Sequence, residues 1–145
     1  YEQAQQYYQQ ALAIQIEFDD RYSQASTLHQ LGRVAQEQRQ YEQAQQYYQQ
    51  ALAIKIEFDD RYEQASTYFQ LGKVAEETGD VDNATAYYLE DLRITVEFND
   101  EQGLGISLRN LARFYQATQN ADLLTAAAQI LNTTPDNLTQ LFEQN

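Results

Sequence analysis

The sequence predicts an all-α protein, a solenoid of antiparallel helix pairs about three repeats long with a capping helix at its C-terminal end. Three observations carry this. Residues 1–40 and 41–80 are near copies that differ at nine positions, and a period of that size means stacked supersecondary units sharing one continuous core. Each copy holds two stretches with apolar residues at helical spacing. One Pro and five Gly in 145 residues point away from β-rich and loop-rich folds.

The elements follow in order. Residues 1–20 are the second helix of a truncated repeat, helical over about 2–18. Residues 21–60 form a repeat with helices over 21–38 and 42–58, and residues 61–100 form the next, with helices over 61–78 and 81–98. In the second helices Ala4, Ala44 and Ala84 correspond, as do Tyr8, Tyr48 and Tyr88, then Leu12, Leu52 and Leu92, then Ile14, Ile54 and Ile94, then Phe18, Phe58 and Phe98. Ala44, Tyr48, Ala51 and Leu52 share one helical face. Small residues (Ala44, Ala51, Gly72, Ala75) alternate with Tyr48, Leu52 and Leu71, the pattern by which a helical hairpin stacks tightly. Asp60 with Glu63 reads as a capping box, with Asp20 and Asp100 at equivalent places. Gly79-Asp80 ends one helix and caps the next. Residues 101–131 are a diverged repeat, with a helix over 101–118 and a shortened partner over 121–131. Residues 132–145 supply the cap. Thr134-Pro135-Asp136-Asn137 is an N-cap, a Pro at the first helical position and an acidic first turn, so a helix is expected over 135–143 with Leu138, Leu141 and Phe142 packing back.

Bulk composition excludes several functions. Net charge is −13, from 22 acids against 9 bases, so a generally basic surface for nucleic acid is ruled out and an anionic membrane repels the chain. The acidity does not imply disorder, because 43% of residues are hydrophobic. No apolar run approaches the ~18 residues needed to span a bilayer. The chain has no Cys, which excludes disulfides and thiolate zinc sites and fits a reducing compartment, the cytoplasm. It opens on Tyr1 within a repeat and contains no Met, as a fragment of a longer scaffold or signalling protein would.

Leu31-Gly32, Ala44, Tyr48 and Ala51, and again Leu71-Gly72, Ala84 and Tyr88, resemble the signature of the tetratricopeptide repeat family. Leu111-Ala112 and Tyr115 match it more loosely, with Ala in place of the usual Gly. The resemblance covers residues 1–131. The family's common repeat has about 34 residues; here the period is forty, which is similar to the long repeats of kinesin light chain and Pins-like scaffolds. Ile56 and Val96 stand where the family usually has Pro, so the second helix runs on to Phe58 and Phe98. The resemblance implies a right-handed superhelix whose inner face is lined by the first helix of each pair, and a role in binding protein rather than in catalysis.

On that inner face one helical position carries a base in every repeat: Arg33, Lys73 and Arg113. The position four residues earlier holds His29, Phe69 and Arg109, and its neighbour holds Gln30, Gln70 and Asn110. Four of the nine bases fall on this stripe. The resulting candidate groove, His29, Arg33, Phe69, Gln70, Lys73, Arg109, Asn110 and Arg113, suits a protein or peptide rich in acidic residues, with Phe69 as an apolar anchor. The alternative is that Glu37, Glu76 and Glu77 neutralise these bases, leaving solvated ion pairs of little energy. The carboxylate clamp by which similar proteins hold chaperone tails does not match, since His29, Arg33, Gln70, Ile106 and Asn110 occupy its positions. A second function is self-association through Ala4, Tyr8, Ala11 and Leu12, the face that would meet a preceding hairpin, giving a structural spacer or a homo-oligomer.

Other constellations favour structure over chemistry. Asp19-Asp20, Asp59-Asp60 and Asn99-Asp100 lack the alternating ligands and Gly of a calcium loop and suit helix capping. His29 is the only His, so a His-based triad would rest on it alone. The Tyr47-Tyr48 type pairs suit core packing rather than base stacking in so acidic a chain, and Gly103 with Gly105 makes no phosphate loop. No catalytic residue, metal or cofactor is implied.

Overall fold

The computed structural model describes residues 1–144. Eight helices follow one another: α1 (Glu2–Glu17), α2 (Arg21–Glu37), α3 (Tyr41–Glu57), α4 (Arg61–Glu77), α5 (Val81–Glu97), α6 (Glu101–Thr118), α7 (Ala121–Ile130) and α8 (Pro135–Glu143). Each begins and ends within a residue of where periodicity puts it, and no strand occurs among the described residues. Successive helices from α1 to α6 pack on one another, most closely within the pairs α2–α3 and α4–α5.

The junctions explain the regular period. At each of the first five, one residue adopts left-handed backbone: Asp19, Arg39, Asp59, Gly79 and Asn99, with φ of 55°, 61°, 55°, 80° and 51°. The following amide reaches back five residues, as in Asp20 N to Gln15 O at 2.8 Å and Gln40 N to Ala35 O at 2.8 Å. This is a Schellman turn, which satisfies carbonyls the helix end leaves free and reverses the chain in three residues. Asp20, Asp80 and Asp100 then cap the next helix through the amides of Ser23, Asn83 and Gly103. The capping box expected at Asp60 does not form. Its carboxylate instead accepts the Tyr22 hydroxyl at 2.9 Å, a partner one repeat away that local sequence could not reveal.

The core is built on close approach between paired helices. A Cβ at Gly32 would lie 2.7 Å from the Tyr48 ring, and one at Gly72 would lie 2.5 Å from Tyr88. Both rings are fully buried, and each hydroxyl finds an acceptor in the partner helix, Gln36 Oε1 and Glu76 Oε1, both at 2.7 Å. The third repeat changes both sides of the contact at once: Ala112 replaces the Gly and Ala128 replaces the Tyr, with Phe114 turned onto Tyr88 at 5.1 Å between centroids. There the pair is less tightly closed. The backbone of α7 approaches α5 and α8 most closely, while its Leu123, Leu124, Ala127 and Ala128 join Leu111, Ala112 and Phe114 of α6 in one apolar cluster. Leu138 and Phe142 of α8 complete that cluster, while Leu141, expected to be buried with them, is 39% exposed.

Two substitutions test this account. Gly72→Ala should destabilise by about 1–3 kcal/mol, because a methyl group has no room beside Tyr88. Arg39→Gly should stabilise by about 1 kcal/mol, because only the left-handed φ is relieved. Urea unfolding measures both; a neutral Gly72→Ala would mean the rings are free to move aside.

Candidate binding groove

The first helices α2, α4 and α6 are joined along one side by a repeated set of contacts. The Tyr22 ring meets Phe58 edge-on at 5.4 Å and its hydroxyl donates to Asp60; Tyr62 does the same with Phe98 and Asp100. Arg21 pairs with Glu57 and Arg61 with Glu97. Between the first helices lie clefts whose linings recur with the forty-residue period. One of about 430 Å³ is bordered by Tyr22, His29, Lys55, Asp60 and Glu63. Its counterpart of about 250 Å³ is bordered by Tyr62, Phe69, Thr95, Asp100, Gly103 and also Asp91.

The basic stripe divides into free and engaged members. Arg33 and Lys73 are exposed and border a third cleft of about 350 Å³ with Gln36, Glu37, Gln70 and Glu77. Lys73 Nζ stands 5.2 Å above the Phe69 ring, a cation–π contact. Arg113 is engaged: its guanidinium donates to both oxygens of Glu76 at 2.7 Å and to Asn110 Oδ1 at 2.9 Å. That bidentate bond holds the Glu76 carboxyl below its ordinary range. Neutralisation within the groove, the reading set against peptide binding, therefore applies at Arg113. Arg109 is exposed on α6 and borders none of these three clefts. Phe69 and Gln70 border the smallest cleft, and His29 the largest.

His29 is half-buried, with Nδ1 3.1 Å from Thr67 Oγ1 and its ring edge against Tyr48. Burial, with help from Lys55 and Arg33, pushes it down to about 4, so it is neutral at pH 7. Two further groups escaped the sequence reading. Lys55 is buried, and its ammonium donates to Thr67 Oγ1 at 2.8 Å and Glu63 O at 3.1 Å; burial lowers its pKa. Asp91 is only 7% exposed, and burial raises its carboxyl to about 6. Signals for both existed. Lys55 is one of the nine differences, standing where the preceding copy has Gln15, and Asp91 stands where the earlier copies have Ala11 and the buried Ala51. Among the described residues no three His, Cys, Asp or Glu side chains converge on a metal position, and no helix is long and apolar enough to cross a membrane.

His29 and Asp91 oppose each other in pH. His29 folds as the neutral form, so its contribution to stability is complete above about 6.5 and is lost as pH falls towards 4. Asp91 folds more readily protonated, so its contribution is complete below 3.8 and is lost as pH rises through about 6. Asp91→Ala should therefore stabilise by roughly 2 kcal/mol more at pH 7.5 than at pH 4. Urea unfolding at the two pH values reads this, and equal effects would show that the ionised carboxylate is not the destabilising form.

Two family models, both described as tetratricopeptide repeat, match the chain, one over residues 1–57 and the other over residues 65–94. No curated protein matches it. The matched segments run from α1 into α5, and each spans a Gly–Tyr contact or one of its sides. With its helices paired as the resemblance requires, the chain belongs to the tetratricopeptide repeat family.

Proposed function

We propose that this chain is a protein–protein interaction module that holds a peptide or partner segment across its first helices, with Arg33 and Lys73 receiving acidic side chains. The observation that carries the reading is the separation of the basic stripe. Arg33 and Lys73 border a common cleft with Glu37 and Glu77, exposed and, among the described residues, without an ion pair. Arg113 is tied to Glu76. In a protein of net charge −13, two bases in one cleft, balanced there by Glu37 and Glu77, give an acidic side chain direct donors despite long-range repulsion. Gln70 offers an amide beside them, and His29, Phe69, Arg109, Asn110 and Arg113 extend the surface along the same helices. This is binding rather than catalysis, and the cytoplasm suits a chain without Cys.

Self-association is a second reading with its own support. In α1, Ile14 is 55% exposed, whereas its counterparts Ile54 and Ile94 are 2% and 0% exposed. Tyr7, Ile16 and Phe18 are exposed beside it. The face expected to stack, Ala4, Tyr8, Ala11 and Leu12, is half-buried, with Leu12 packed against Ala25, Leu28, Ala51 and Ile54, so a stacking array would cover the exposed apolar surface beside it.

Peptide display against the immobilised chain tests the first reading. Enriched peptides should carry Asp or Glu, and Arg33→Glu with Lys73→Glu should weaken them about tenfold or more at low salt. Enrichment that ignores the double reversal would remove these bases from the site. Sedimentation equilibrium tests the second: mass should rise with concentration and Tyr8→Glu should abolish the rise, whereas a constant monomer mass sinks it.

A further inference from the structure

The clefts between α2 and α4 and between α4 and α6 are the same structure one repeat apart, with one exchange of charge. In the first, the ammonium of Lys55 sits on the floor and donates to Thr67 Oγ1 and to the Glu63 carbonyl. Forty residues on, Thr95 stands where Lys55 was, Ser107 where Thr67 was and Gly103 where Glu63 was. The second cleft thus keeps the acceptors and loses the internal cation. Among the described residues its buried Ser107 hydroxyl meets the Asp91 carboxylate but forms no hydrogen bond of normal geometry. Facing Ser107 is Asp91, 7% exposed, which occupies the position of Ala51. Among the described residues no Lys, Arg or His forms an ion pair with Asp91, and Asp100 adds a second negative charge at the rim. A buried carboxylate that has a hydroxyl beside it and no cation is costly unless something completes it.

We infer that the cleft between α4 and α6 takes the side-chain ammonium of a lysine in a bound peptide, which occupies the place that Lys55 fills internally one repeat earlier. The chemistry of the walls selects this occupant. Phe69, Ala65 and Ile106 line the approach and suit an aliphatic stem, while Asp91 and Ser107 meet the charged head. Lys73 does not reach in, since its ammonium lies over the Phe69 ring and the residue does not border the cleft. Thr95 is too short to fill the space, and its hydroxyl donates to the Leu92 carbonyl. The inference rests on the reading of the groove as a peptide site and adds to it a polarity: acidic side chains at Arg33 and Lys73, and a lysine at Asp91.

The test uses a probe that needs no partner. Nα-acetyl-lysine amide is titrated into the ¹⁵N-labelled chain at pH 7.5, with the uncharged norleucine analogue as control. The lysine probe should shift amides around Asp91, Thr95, Gly103 and Ser107 with roughly millimolar affinity. The norleucine probe should bind about tenfold more weakly or less. Asp91→Ala should abolish the shifts, as should Thr95→Lys, which rebuilds the internal ammonium of the preceding repeat. Absence of shifts, or equal shifts from both probes, would overturn the inference, as would binding that survives both substitutions. Peptide display separates this from the groove reading. Lysine enriched by the wild type and lost with Asp91→Ala supports both. Acidic peptides enriched without lysine sink the cleft and leave the groove. A working lysine probe with no enriched peptide leaves the cleft and sinks the groove.

Discussion

The contact between a glycine in one helix and a tyrosine ring in the next sets the geometry of this protein. Gly32 under Tyr48 and Gly72 under Tyr88 let paired backbones approach to a distance that a methyl group would forbid. The buried hydroxyl then needs an acceptor, and Gln36 and Glu76, one turn beyond the glycines, supply it. A single contact therefore fixes spacing through sterics and rotation through a hydrogen bond. Where the third repeat gives up both residues, the pair loosens and the terminal helices take over the closing of the core.

The same contact connects the core to the candidate groove. Glu76 accepts from Tyr88 on the inside and from Arg113 on the outside, so a core tyrosine and a groove base share one carboxylate. Arg113 is consequently less free than its repeat equivalents. In the preceding repeat the acceptor is the neutral Gln36, which holds Tyr48 without engaging a base, and Arg33 and Lys73 remain exposed. One exchange of Gln for Glu thus separates Arg113, which is engaged, from Lys73, which is not.

Much of the fold was legible because its causes are local. Helix limits followed from apolar spacing and from turn residues every twenty positions, and the position of the terminal cap followed from Thr134-Pro135. What failed was also instructive. Asp60 has the right sequence neighbours for a capping box, yet it accepts from Tyr22 of the preceding repeat without capping α4, whereas Asp100 accepts from Tyr62 and caps α6 as well. Leu141 fits the amphipathic pattern of α8 but is 39% exposed, whereas Leu138 and Phe142 are buried in the cluster. For the groove, the stripe of bases was visible in the sequence, whereas its division into free and engaged members depended on distances between repeats.

The sequence by itself determined the repeat, the helix order, the family and the face on which bases recur, since periodicity and local capping chemistry are written along the chain. The tertiary structure alone decided which polar groups are buried and which charges find partners. Lys55 and Asp91 stand out in the sequence only as departures from the repeat, which do not say what surrounds them. They became the floors of two related clefts only when residues forty apart were brought side by side, because desolvation and ion pairing depend on neighbours in space and not on neighbours in sequence.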